Sequence, residues 1–119
     1  MKKRVTAFIN ALNGLIDFFK NTIHARIHLA AVIAVCAAGF YLEITVNEWL
    51  AVLLCMALVL TAEAINSSLE YTVDLVTKEY HPLAEKAKDM AAGAVLIAAL
   101  FSAIIAAVIF YPYIQAQWQ

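Results

Sequence analysis

Residues 49–74 read WLAVLLCMALVLTAEAINSSLEYTVD, and the fold turns on this stretch. Trp49 to Ala62 carries no charge; Glu63, Asn66, Glu70 and Asp74 then follow at offsets of 0, 3, 7 and 11. At about 100° per residue, these four polar groups fall within roughly an 80° arc of one helix face. A row of carboxylates therefore starts inside an apolar helix and runs out through its end. Ionised groups are costly in apolar surroundings, and within a membrane segment they mark a functional site by default. The plainer alternative is a polar face turned towards water or a neighbouring helix. It is the better reading of Asp74 taken alone and the poorer one of Glu63.

Of the 119 residues, 65% are apolar and 14% charged, against about half and a quarter in soluble domains. Three Gly and two Pro supply little turn chemistry for β structure. The composition points to an all-α membrane protein with one domain over residues 1–119. The net charge of −1 identifies no partner, and no nucleic-acid partner is expected. Cys36 and Cys55 sit singly in apolar runs. Without a C-x-x-C or a nearby His spacing, they read as small apolar residues rather than zinc ligands or a disulfide.

Upstream of the decisive stretch, Val5, Phe8, Ile9, Leu12, Leu15, Ile16 and Phe19 recur at helical spacing. Residues 1–24 are expected to form an amphipathic helix in the membrane interface, with Lys2, Lys3 and Arg4 near headgroups. The periodic pattern argues against a cleavable signal. The first span is placed at 27–46, where a 14-residue apolar run from Leu29 to Leu42 is extended by Ile27, Ile44 and Val46. The second runs over 49–70, opened by Trp49 as an interface residue, and the third over 90–114. Small residues crowd the third span, which favours close helix association in lipid.

Lys and Arg set the orientation. Five lie at or before the start of the first span and three between the second and third, which accounts for all eight. By the positive-inside rule, the N-terminus and the 71–89 segment face the cytoplasm and the C-terminus lies outside. Glu63 is 14 residues from Trp49, about 21 Å along a helix axis. In a hydrocarbon layer about 30 Å thick, that puts Glu63 near the inner boundary, with Glu70 and Asp74 emerging into the cytosol. A carboxylate so placed is partly stripped of water, as general bases often are. A lipid hydroxyl rests at the same depth. Three short spans cannot enclose both a lipid and a nucleotide, so a homo-oligomer with sites between subunits is expected.

His24 and His28 have an i, i+4 metal-binding spacing. No third ligand is evident, so they read as interfacial polar residues. Neither a P-loop nor a G-x-G-x-x-G run occurs. Any phosphate clamp must then be built from side chains, for which Lys88, Arg26 and Lys86 are available.

The run Ala62-Glu63-Ala64-Ile65-Asn66-Ser67-Ser68-Leu69-Glu70, followed by Val73-Asp74-Leu75, Glu79-Tyr80-His81-Pro82-Leu83-Ala84 and Ala87-Lys88-Asp89-Met90, resembles the prokaryotic diacylglycerol kinase and undecaprenol kinase family. The likeness covers nearly the whole chain, including Asn13-Gly14-Leu15 and Arg26-Ile27-His28. It implies a homotrimer of three-span subunits with a surface helix, in the bacterial inner (cytoplasmic) membrane. It also implies ATP-dependent phosphorylation of a membrane lipid alcohol, with magnesium carried by the ATP. By resemblance, Glu63 would take the lipid hydroxyl proton with Asn66 orienting it, and Glu70 would bind the metal. Lys88 would steady the phosphates, while Asp74, Tyr80, His81, Asp89 and Arg26 would line the nucleotide site. Such a set suits phosphoryl transfer, which depends on positioning and charge neutralisation. The motif wording around Tyr80–Ala84 and Ala91–Ala94 leans towards the undecaprenol-preferring members.

One departure stands out. Family members carry a glutamate, the second metal ligand, four residues before the Arg of R-I-H; here that position is Thr22. A hydroxyl can ligate magnesium but brings no charge, so weaker metal binding or a catalytically impaired homologue follows as an expectation. A small ion-coupled oligomer is the competing function. It would want its carboxylate at mid-membrane and polar groups on several spans, which spans one and three do not offer.

Overall fold

The computed structural model describes residues 2–118. The headgroup contact expected of Lys2 falls on a side chain outside that description. The chain is all-helical: α1 (Lys2–Asn21), α2 (Ile23–Tyr41), α3 (Val46–Val76) and α4 (Pro82–Gln117). The helices α2, α3 and α4 are each long and apolar enough to cross a membrane. At 1.5 Å per residue, α2 is about 28 Å long and just matches the hydrocarbon layer, while α3 and α4, at about 46 Å and 54 Å, overrun it. The helical stretch of α3 thus carries the carboxylate row well past its apolar part.

The connections are short. Thr22 alone, in extended backbone, separates α1 from α2. Glu43 adopts a positive φ of 53°, which stops α2 just after Leu42. Thr45 and Glu48 then form a reciprocal capping box that starts α3 at Val46. Consequently Ile44 and Val46 do not prolong the first helix, as the 27–46 span supposed. Ile44 folds back into an apolar cluster with Val52 and Ile109, and α2 gains its length at the other end, from Ile23. The 71–89 segment is also more ordered than a loop. Only residues 77–81 connect α3 to α4, because His81 caps α4 through Nδ1, which accepts from the Leu83 N–H at 3.2 Å, and Pro82 fills the first helical position.

Packing is uneven. The helices α3 and α4 run together along much of their length, α2 leans on α3, and α1 meets α2 over a short patch. Trp49, read from the sequence as an interface residue, is also half-buried against α2. Its ring meets Phe40 at a tilt of 48°, with centroids 4.8 Å apart, and lies over Gly39, where an added Cβ would come within 2.8 Å of it. The chain is a slab of 58 × 43 × 21 Å with a radius of gyration of 17.8 Å, where a globule of this length would have about 13.5 Å. Along α1 the apolar residues Val5, Phe8, Ile9, Leu12, Leu15 and Ile16 are exposed, and only Phe18 is buried. An apolar helix face left uncovered by its own chain is what a bilayer interface or a second subunit covers.

Candidate active site

Along α3, Ser67 faces α1 across a cavity shared with Thr22, while Asn66 lines a cleft with Ala91 and Ala94 of α4. Three of its side chains are buried: Glu63 at 3%, Asn66 at 6% and Ser67 at 7% exposure. Glu63 Oε1, Asn66 Oδ1 and Ser67 Oγ all lack a hydrogen-bond partner within the chain. Buried polar atoms are nearly always paired, and each exception calls for a reason. Among the described residues, three of the four such side-chain atoms fall within five consecutive residues of α3, the fourth being Ser102 Oγ on α4. Leaving a carboxylate oxygen buried and unpaired is costly to the fold. A group from outside the chain, arriving with a proton to share, removes that cost.

The row changes character towards the C-terminal end of α3. Asn66 Nδ2 donates to Glu70 Oε1 at 3.3 Å, so the amide expected to orient Glu63 holds the Glu70 carboxylate instead. Glu70 is exposed. One turn further, Asp74 accepts a charge-assisted hydrogen bond from Lys88 Nζ at 2.6 Å. This pair ties the end of α3 to the start of α4. It exists because α4 is helical from Pro82, which turns Lys88 back onto α3. Tyr80, Asp89 and Arg26 are exposed, and His81 is exposed while capping α4.

Thr22 lines a cavity of ≈ 300 Å³ between α1 and α3, together with Gly14, Asp17, Ser67 and Tyr71. The Asp17 carboxylate accepts from Asn21 Nδ2 at 2.5 Å. Among the described residues no cluster of three or more His, Cys, Asp or Glu side chains could hold a metal ion by itself. Glu70 has one amide on one of its oxygens and is not among the residues that line the cavity with Thr22, so the structure does not bring the two expected metal ligands together there. His24 and His28 gain no third ligand among the described residues either. An apolar cleft of ≈ 230 Å³ between α2, α3 and α4 takes His28, Cys55, Val59 and Ser102 into its wall.

Sequence reasoning missed Ser67. Its signal was its position: four residues after Glu63, it lies about 40° away on the same face. It reads in isolation as one more small residue in a tightly packed helix.

A multi-span helical membrane protein with a buried, unpartnered carboxylate beside an exposed acidic and basic cluster is the class this geometry defines. The sequence profile described as Prokaryotic diacylglycerol kinase matches residues 9–110. The chain belongs to that family of membrane lipid kinases. It is 39% identical over 106 residues to an undecaprenol kinase of Bacillus subtilis, covering 89% of this chain and 86% of the relative. A diacylglycerol kinase of Synechocystis is 36% identical over 109 residues, covering 91% of this chain and 62% of the relative. A diacylglycerol kinase of Helicobacter pylori is 48% identical over 65 residues, covering 55% of this chain and 51% of the relative.

Proposed function

We propose that this chain moves the γ-phosphoryl group of ATP onto the hydroxyl of a membrane lipid, at the inner face of the bacterial inner membrane. The observation that carries the reading is Glu63: a carboxylate 3% exposed, with an oxygen that has no partner in its own chain. Its role is to accept the acceptor's hydroxyl proton as the oxygen attacks phosphorus in line. Asn66 holds Glu70 towards the cytosolic side, and Glu70, with Thr22, would hold the ATP-borne magnesium. When bound, that ion supplies neutralisation of phosphate charge. Lys88, steadied by Asp74, supplies the fixed cation for the phosphates. Tyr80, His81, Asp89 and Arg26 surround the nucleotide.

The N-terminus and the connection at residues 77–81 face the cytoplasm, where ATP is present. Three copies assemble so that the slab's uncovered apolar surface is shared between neighbours and lipid. Undecaprenol is the favoured acceptor over diacylglycerol, in line with the relative matched over most of both chains.

Purified protein in bilayers, supplied with labelled ATP, magnesium and each lipid in turn, tests the reading. Transfer of label to either lipid supports it, and faster transfer to undecaprenol supports the acceptor assignment. No transfer to any lipid alcohol in a folded oligomer sinks it.

A further inference from the structure

Ser67 follows Glu63 by one helical turn, is 7% exposed, and has an Oγ without a hydrogen-bond partner in the chain. It lines the ≈ 300 Å³ cavity that α1 closes over with Asp17 and Thr22. A serine kept only as a small contact residue would do as well as alanine, since alanine leaves no hydroxyl to satisfy. Burying a hydroxyl unpaired destabilises the fold, and one turn from an equally unpaired carboxylate oxygen its presence points to a partner from outside the chain.

The spacing says what that partner is. Side chains four apart on a helix are neighbours, with Cβ atoms about 5–6 Å apart, and their tips can lean to within the distance of about 5.5 Å that two oxygen–oxygen hydrogen bonds of about 2.7–2.8 Å span. A single oxygen placed between Glu63 and Ser67 is therefore within reach of both. An alcohol oxygen has the required valence: one O–H to give to a carboxylate and one lone pair to receive from a serine, with a second lone pair free to attack. A carboxylate or phosphate there would oppose Glu63 by like charge.

Glu63 does not itself line the α1–α3 cavity, whose wall on α3 is made by Ala64, Ser67, Ser68 and Tyr71. We propose that Ser67 is an acceptor-binding residue whose Oγ–H donates to the alcohol oxygen of the lipid, holding its proton towards Glu63, its neighbour one turn earlier on α3. This rests on the lipid-kinase reading and adds the residue that places the nucleophile. In the transfer, the alcohol O–H bond breaks and its proton passes to Glu63. The O–P bond forms as the bond from the γ-phosphorus to the bridging oxygen of ADP breaks. Ser67 keeps its proton throughout.

The test uses the full chain in bilayers, with Ser67→Ala and Ser67→Thr. Affinity for undecaprenol and for diacylglycerol is read without ATP, by quenching of protein fluorescence with brominated lipid alcohols. Turnover and melting temperature are read beside it. Ser67→Ala should weaken binding of both alcohols about tenfold, raise KM for lipid by the same factor, and leave KM for ATP unchanged. Its melting temperature without lipid should hold or rise, because a buried unpaired hydroxyl has been removed. Ser67→Thr, which keeps the hydroxyl, should restore binding. A lower melting temperature with lipid affinity intact would assign Ser67 to packing and overturn the proposal. So would an effect confined to one of the two lipids, or wild-type protein that binds neither alcohol. If Ser67-dependent binding is found without any phosphorylation, the kinase reading fails and the Ser67 assignment stands.

Discussion

Helix α3 carries a carboxylate near each end of its apolar part, and the two are treated in opposite ways. At the N-terminal end, called outer after the proposed orientation, Glu48 Oε2 accepts three hydrogen bonds: from the Thr45 N–H at 2.7 Å, the Thr45 hydroxyl at 2.8 Å and the Tyr113 hydroxyl at 2.7 Å. At the other end, inner in the same orientation, Glu63 is almost wholly enclosed and one of its oxygens has no partner in the chain. The better-solvated carboxylate is the better-partnered one. Glu48 closes a capping box and ties α4 to α3 beside the Ile44, Val52 and Ile109 cluster, so its bonds serve the fold. Glu63 Oε1, buried without a partner in the chain, forms no such tie, and on the proposed reading a reactant completes it. Under that reading, polar satisfaction separates a structural carboxylate from a chemical one more cleanly than depth or charge does.

The contrast is broken most directly at its inner end. Glu63→Gln keeps size and polarity but cannot take up a proton in the same way. Loss of a general base typically costs about 10²–10⁴ in rate, and lipid phosphorylation should fall by that order while the oligomer melts no lower. If Glu63→Gln retains full activity, the inner carboxylate is structural after all. At the outer end the largest effect should come from Gly39→Ala. In an open helix that change gains about 0.5–1 kcal/mol. Here the new Cβ would stand 2.8 Å from the Trp49 ring, and overpacking of this kind costs about 1–3 kcal/mol. Melting should therefore fall with kcat preserved. A Gly39→Ala protein that is more stable would show that α2 and α3 do not pack as described.

Two changes sharpen the inner end itself. Lys88→Met removes the cation that Asp74 holds at 2.6 Å. With charge-assisted bonds worth about 1.5–3 kcal/mol, KM for ATP should rise roughly tenfold or more, with KM for lipid little changed. A larger effect on lipid than on ATP would assign the Asp74–Lys88 pair to the acceptor. Thr22→Glu is the milder change and should act in the favourable direction. It places a carboxylate on the wall shared with Ser67 and should lower the magnesium concentration for half-maximal activity several-fold. An unchanged requirement would show that residue 22 takes no part in holding the ion.

Much of this was legible in the sequence because membrane helices announce themselves by length and charge, and the polar row by its spacing. The all-α class followed from composition, the three spanning helices from the length of their apolar runs, and the amphipathic first helix from periodicity. Helix ends were not legible where single residues decide them. The positive φ of Glu43 and the capping box at Thr45 stop one helix and start the next, and neither changes the hydropathy of 27–46. The reach of α4 back to Pro82 was hidden by its charged first turns, which read as loop. In the site, the face shared by Glu63, Asn66, Glu70 and Asp74 was evident from their offsets. That Asn66 would donate to Glu70, and that Ser67 would be buried with an unpaired hydroxyl, depended on how α1 and α4 approach α3, which no local pattern encodes.

The smallest change tests whether the two ends are independent. Tyr113→Phe deletes one of the three bonds to Glu48 and leaves the Thr45 capping box complete. Because the phenol sits at the far end of α4, its loss should loosen only the α3–α4 contact there and lower the melting temperature slightly. Changes at sites well apart with no shared partners usually add, so Tyr113→Phe combined with Ser67→Ala should show the sum of the single effects on stability and on lipid KM. A double variant whose lipid KM departs from that sum would mean that the outer tie sets the geometry at Glu63 through the length of α3 and α4. The two carboxylates would then be parts of one mechanical unit, and the division between a structural end and a chemical end would have to be given up.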